Sequence, residues 1–136
     1  MGVSVAYPGA WQVNARPPLI AISSPDLASS GRQTGAEIMI GVSPANPDDS
    51  LQVRWDAFAA KFPNVTLAAP DTVTLGGEEA LRGLFSDPSD GSHGWVTISR
   101  HAGLTWLIIT QAIPNDNWAN YEATFRAMLR TFYFTQ

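Results

Sequence analysis

His93 and His101 are the two histidines of a 136-residue chain. Imidazole has the ordinary pKa nearest neutrality and is a usual nitrogen ligand of zinc, so any acid–base or metal chemistry is sought there first. Residues 93 and 101 bracket a stretch that reads as one strand. At ~3.3 Å per residue they stand roughly 26 Å apart, too far to share one ion or one catalytic dyad. His93 has Asp87 and Asp90 close in sequence. Two carboxylates and one imidazole make a hard-metal or weak zinc constellation, so Asp87, Asp90 and His93 are the candidate metal ligands. The same stretch, residues 87–94, also has the Pro, Gly, Ser and Asp content of a solvated turn. It departs from an EF-hand loop, because the third, fifth and twelfth positions counted from Asp87 are Ser89, Gly91 and Ile98. His101, beside Ala102-Gly103, is expected at an exposed hairpin end.

Other chemistry is excluded by spacing. Gly76-Gly77 lacks the following Lys-Ser/Thr with which a P-loop reaches terminal phosphates, and no G-x-G-x-x-G opens a helix. Gly91-Ser92-His93-Gly94 is no nucleophile elbow, since serine is not centred between two glycines and a strand follows. Glu78 and Glu79 are adjacent, so on a strand they point to opposite faces and make a poor acid–base pair. The sequon Asn64-Val65-Thr66 is short enough to arise by chance. No catalytic residue and no cofactor is expected.

Charge and composition narrow the classes further. Twelve acidic against eight basic side chains give −4, and the arginines are scattered from Arg16 to Arg130, which argues against nucleic acid or an anionic membrane as partner. There is no cysteine, hence no disulfide and no thiolate site. With 45% hydrophobic and 15% charged residues, the chain is rich enough in apolar groups for one folded domain spanning residues 1–136. The N-terminus leads into strand-like residues 3–7 without a basic and apolar leader, as in a mature or excised chain. The densest apolar run, residues 104–113, is far shorter than the ~20 residues of a membrane span.

The elements that must position these groups follow from periodicity. Residues 3–7 and 11–14 flank the turn Pro8-Gly9 and predict a bent strand or hairpin. Residues 19–23 read as a strand, and 36–42 alternate, with Ala36, Ile38, Ile40 and Val42 on one face and Glu37, Met39 and Gly41 on the other. Leu51, Trp55, Phe58, Ala59 and Phe62 fall at helical spacing behind Ser50 as a cap, and Pro63-Asn64 ends that helix. Residues 65–75 hold one or two short strands, and 79–85 form another after Gly76-Gly77. Residues 95–101 and 104–112 make a tight hairpin about Ala102-Gly103. In its second arm Leu104, Trp106 and Ile108 alternate with Leu107 and Ile109, so both faces must be covered. Trp118, Tyr121, Phe125, Met128, Leu129 and Phe132 give a final amphipathic helix that can supply one cover. Residues 23–35, 43–50 and 87–94 are loops. The fold class is α+β, a three-layer sandwich with a mainly antiparallel sheet flanked by helices.

Four pieces in order then carry a resemblance: Tyr7-Pro8-Gly9-Ala10-Trp11, Leu75-Gly76-Gly77 followed by Ala80, the hairpin of residues 95–112, and the helix from Trp118 through Tyr121 and Phe125 to Thr131-Phe132. Together they resemble the PsbP/Mog1-like superfamily over essentially the whole chain. The resemblance implies a central antiparallel sheet between helices. It also implies a non-catalytic role, as in extrinsic subunits and assembly factors of photosystem complexes or binders of a small nuclear GTPase. It therefore implies a protein-interaction or accessory module with a protein partner, part of a longer or extracytoplasmic protein, with a cytoplasmic location as the alternative. Exposed apolar groups on loops 23–35 or 43–50 would make the contact. Tyr7, Trp11, Gly76, Gly77 and Phe132 match as fold positions, so no functional residue carries over. Lys61 is the only lysine, which departs from plant-type subunits that dock electrostatically and speaks against a photosystem role. The alternative function is a small-molecule or metal-ion binding domain, using a pocket between sheet and helix or the loop of Asp87, Asp90 and His93.

Overall fold

The two apolar faces of strand 104–113 decide the architecture, and a computed structural model describing residues 2–135 shows how each is covered. Met1 and Gln136, the ends of the expected 1–136 span, lie outside the described residues. In chain order the elements are β1 (Gly2–Ser4), β2 (Gln12–Arg16), β3 (Leu19–Ser23), α1 (Pro25–Ser29), β4 (Gly35–Pro44), α2 (Leu51–Lys61), β5 (Thr66–Leu67), β6 (Asp71–Leu75), β7 (Glu78–Asp87), β8 (Ser92–His101), β9 (Leu104–Ile113), α3 (Trp118–Arg130) and β10 (Tyr133–Thr135). The main sheet runs β2-β3-β4-β9-β8-β7-β5, with β6 also on β7, and every pairing is antiparallel.

One face of this sheet packs on α3. Ile38, Trp95, Trp106, Ile108, Trp118 and Phe125 belong to the larger core cluster there, and Phe125 and Ile108 are fully buried. The opposite face packs on α2, where Leu51, Trp55, Leu81, Phe85, Val96 and Ile98 form a second cluster that also takes Leu107 and Ile109 of β9. Each large side chain so buried contributes roughly 1.5–3 kcal/mol, which is why the alternation in β9 commits the chain to three layers. The α+β sandwich expected from the sequence is the observed fold.

Local signals explain the start of α2 and the turn between β8 and β9. Ser50 accepts a hydrogen bond from the Val53 amide and satisfies one of the orphan donors of α2. Between β8 and β9, Ala102 and Gly103 both take positive φ, 53° and 77°, the geometry that lets a two-residue hairpin follow the strand twist.

Three expectations are corrected. Pro8-Gly9 does turn the chain, with the Trp11 amide donating to the Pro8 carbonyl at 3.0 Å, but β1 and β2 are not partners. β1 pairs instead with β10 in a separate two-stranded sheet, because Val3 and Phe134 there add to the α3-side core. The stretch 23–35 is not all loop: α1 occupies its centre and buries Leu27, whose backbone nitrogen lies where a Cβ on Gly35 would come within 2.7 Å. His101 is not exposed at its hairpin end. Its ring stacks on Phe134 at 4.3 Å and its Nδ1 stands 3.1 Å from Glu78 Oε1, since β10, unseen in the periodicity, closes over it.

Candidate functional site

The loop between β7 and β8 spends its polar groups on itself. Asp87 Oδ1 accepts from the Ser89 amide at 3.0 Å and the Ser89 hydroxyl at 2.7 Å, and Asp90 Oδ1 accepts from the Ser92 amide at 2.9 Å. These are Asx turns, a side chain standing in for a backbone acceptor. His93 sits on the strand beyond, its Nδ1 at 2.8 Å from Ser86 Oγ and its ring edge-on to Trp118 at 6.0 Å. Asp87, Asp90 and His93 are therefore neighbours in sequence that do not converge. Among the described residues no three His, Asp or Glu side chains are grouped so as to hold a metal ion.

Sequence reasoning missed the polar group that the sheet does assemble. Glu37, on the face of β4 opposite Ala36, Ile38 and Ile40, is 4% exposed. Register places it between Ser23 of β3 and Gln111 of β9. Its Oε2 accepts from Ser23 Oγ at 2.9 Å and Arg32 Nη1 at 3.1 Å, and its Oε1 accepts from Arg32 Nη2 at 2.9 Å and Gln111 Nε2 at 3.3 Å. This forked pairing is the strong form of a carboxylate–guanidinium contact. The hydrogen bond to Glu37 raises the Arg32 pKa above its ordinary value, burial opposes the rise, and the charges of Glu37 and Asp90 add to it. Arg32 itself takes φ 66°, rare for a residue with a side chain, so the backbone bends out of its usual range to lay the guanidinium over Glu37. The signal available in the sequence was a lone Glu in a strand whose flanking positions, Ala36 and Ile38, are core residues.

These residues border a trough of about 470 Å³, with Gln12, Asn14 and Ala21 on its floor and Leu27 and Ala28 at its side. The register puts Ser23, Glu37 and Gln111 on the same sheet face as Ile109, the face on which α2 packs farther along. A carboxylate holding four donors fixes the groups that donate to it. Its visible product is a fixed Arg32, whose side chain remains 56% exposed. Beside the trough runs β2, exposed at all of its residues and paired on one side only, to β3. An edge strand presents unpaired backbone donors and acceptors to whatever lies alongside.

Removing the cation tests this arrangement. Arg32→Ala leaves Glu37 buried with only Ser23 and Gln111 as donors, and is expected to cost about 2 kcal/mol in urea unfolding, with Arg32→Lys costing less because it keeps the charge while losing the fork. Equal stability of Arg32→Ala and the native chain would mean that water replaces the guanidinium without loss.

On the α3 face, Arg82 and Arg126 lie over the Trp95 ring at 4.2 and 5.0 Å from its centroid. Burial, then the charge of Arg126, lowers the Arg82 pKa from its usual value. Arg126 is also paired with Glu122 at 2.8 Å.

No family model and no curated protein matches this sequence. Solved structures do. The solution structure of cyanobacterial PsbP (CyanoP) from Synechocystis sp. PCC 6803 is 13% identical with a TM-score of 0.67, over 98% of this chain and 87% of that one. LpqN of Mycobacterium tuberculosis, described as involved in cell envelope biogenesis, is 14% identical with a TM-score of 0.65, over 98% of this chain and 83% of that one. Protein PA94 of Pseudomonas aeruginosa, of unknown function, is 12% identical with a TM-score of 0.64, over 100% of this chain and 99% of that one. Likeness at this level of identity is a likeness of backbone, here over 98% or more of this chain. The chain has the PsbP/Mog1-like fold.

Proposed function

We propose that this domain is a non-catalytic interaction or accessory module that binds a protein partner along the free edge of its sheet, at β2 and the adjoining trough. The observation that carries the reading is β2 itself: a strand exposed throughout, with Val13 at 49% exposure, next to the fixed guanidinium of Arg32. An extended segment of a partner gains main-chain hydrogen bonds on such an edge and side-chain contacts in the pockets beside it. Of the two stretches expected from sequence to make the contact through apolar groups, 23–35 and 43–50, the first lines the trough, with Leu27 and Ala28 and with the charged Arg32. The fold likeness to LpqN, a protein involved in cell envelope biogenesis, supports the same reading and an extracytoplasmic location. Among the described residues no helix is long and apolar enough to cross a membrane.

Affinity capture from membrane and soluble fractions of the source cells, with the native domain and a Val13→Lys/Ala15→Lys variant as baits, tests the edge. Both positions are exposed, so the variant is expected to melt within about 0.5 kcal/mol of the native domain. Lysines on an edge discourage strand addition. The native domain is expected to recover one partner near stoichiometry and the variant to lose it. Recovery of the same partner by both baits would contradict the edge as the binding surface.

A further inference from the structure

Between α2 and the sheet lies a cavity of about 440 Å³, within the range of small-molecule sites. Its walls are apolar, from Val42, Phe58, Phe62, Ile98 and Leu107. Phe62 is 48% exposed and its ring lies 4.9 Å from that of Phe58, so the opening is apolar too.

The charged lining is unusual. Arg54 is 5% exposed, and its guanidinium donates to the carbonyls of Asp49 and Asn46 at 3.0 and 3.1 Å and to Thr105 Oγ1 at 2.7 Å. None of these acceptors is an anion, and among the described residues Arg54 has no carboxylate within ion-pair distance. A guanidinium has five N–H donors, of which three are spent on these bonds. A buried charge without a counter-charge is costly, so Arg54 marks a place where an anion would be favoured. Lys61, the only lysine of a chain with net charge −4, lines the same cavity, against the single acid Asp49. Arg54 also borders a second cleft of about 300 Å³ that holds Arg100 and His101, with Glu78 as its acid.

An apolar cavity ended by a buried, unneutralised cation is complementary to one kind of small molecule. We infer that the space under α2 binds a single-chain anionic amphiphile, with its tail among Phe58, Phe62 and Leu107 and its head against Arg54. A free fatty acid and a lysophospholipid share this chemistry. The inference does not depend on the β2 edge, which lies on other strands.

Calorimetric titration of the whole chain with dodecanoate, dodecyl phosphate, dodecanol and acetate, all below micellar concentration, tests it without altering the residue that holds the loop 46–49. Either anion is expected to bind one to one, dodecanol about tenfold more weakly or worse, and acetate too weakly to titrate. The tighter of the two anions tells a fatty acid from a phosphate head. Ala57→Phe adds a ring from an exposed helix position that lines the cavity and is expected to weaken dodecanoate about tenfold. Lys61→Ala is expected to weaken it severalfold, and Val13→Lys/Ala15→Lys to leave it unchanged. Equal binding of dodecanol and dodecanoate, native-like binding by Ala57→Phe, or no uptake of either anion would overturn the inference.

Discussion

Gly94→Ala is expected to destabilise the domain by about 3 kcal/mol or more, read as a shift of the urea midpoint with an unchanged slope. The reason is position, not propensity. Gly94 lies on β8 with Phe85 of β7 opposite it on one side and Gln111 of β9 on the other. A Cβ there would overlap the Thr110 carbonyl oxygen and stand 2.8 Å from the Gln111 Cα. Both obstacles are backbone atoms of a central strand, so neither can swing aside as a side-chain tip could. Gly77→Ala is the control. Its Cβ would meet nothing within 4 Å, and φ +82° alone sets the penalty, about 1 kcal/mol. Equal losses at the two positions would show that the β8–β9 pair yields locally.

Phe125→Ala is expected to cost about 3–5 kcal/mol and to lower Tm by about 10–17 °C. Phe125 is fully buried, and its ring lies 5.7 Å from those of Trp11 and Trp118 and 6.5 Å from that of Tyr121. Truncation opens a cavity that rings fixed on two segments, α3 itself and the stretch before β2, cannot fill together. The effect reaches the proposed binding edge. β2 is exposed at every residue, and the buried anchor next to it in sequence is Trp11, 9% exposed. Loosening Trp11 should therefore speed amide exchange in β2 before global unfolding. Uniform exchange across the sheet in Phe125→Ala would separate the edge from the aromatic cluster.

Much of the fold was legible because its strongest signals are local. The Leu107/Ile109 set against Trp106/Ile108 in β9 required two covering layers, and the helical spacing after Ser50 and Trp118 supplied both. What stayed hidden depended on distant partners. β10 is three residues long, too short to show a period, and exists because β1 pairs with it. α1 is five residues long and is fixed by packing against Gly35 rather than by helix periodicity. The site followed the same rule. Asp87, Asp90 and His93 were conspicuous because they are close in sequence, and the structure turns the two carboxylates back onto the amides and hydroxyl of their own loop. Ser23, Glu37 and Gln111 come from different parts of the chain and meet only through the register of β3, β4 and β9, and Arg32 joins them from the turn before β4. Arg54 gave no sign in sequence, since a buried arginine on an amphipathic helix looks like a solvated one until the loop 46–49 and Thr105 of β9 close on it.

The reading of this domain as an edge-binding module is tested most directly by site-specific photocrosslinking in the source cells. Val13 on β2 and Val53 on α2 are matched, at 49% and 50% exposure, and lie on different elements. A photoreactive phenylalanine analogue at position 13 is expected to give one discrete protein adduct, and the same analogue at position 53 to give none of that size. The same adduct from both positions, or from position 53 alone, would contradict binding along β2.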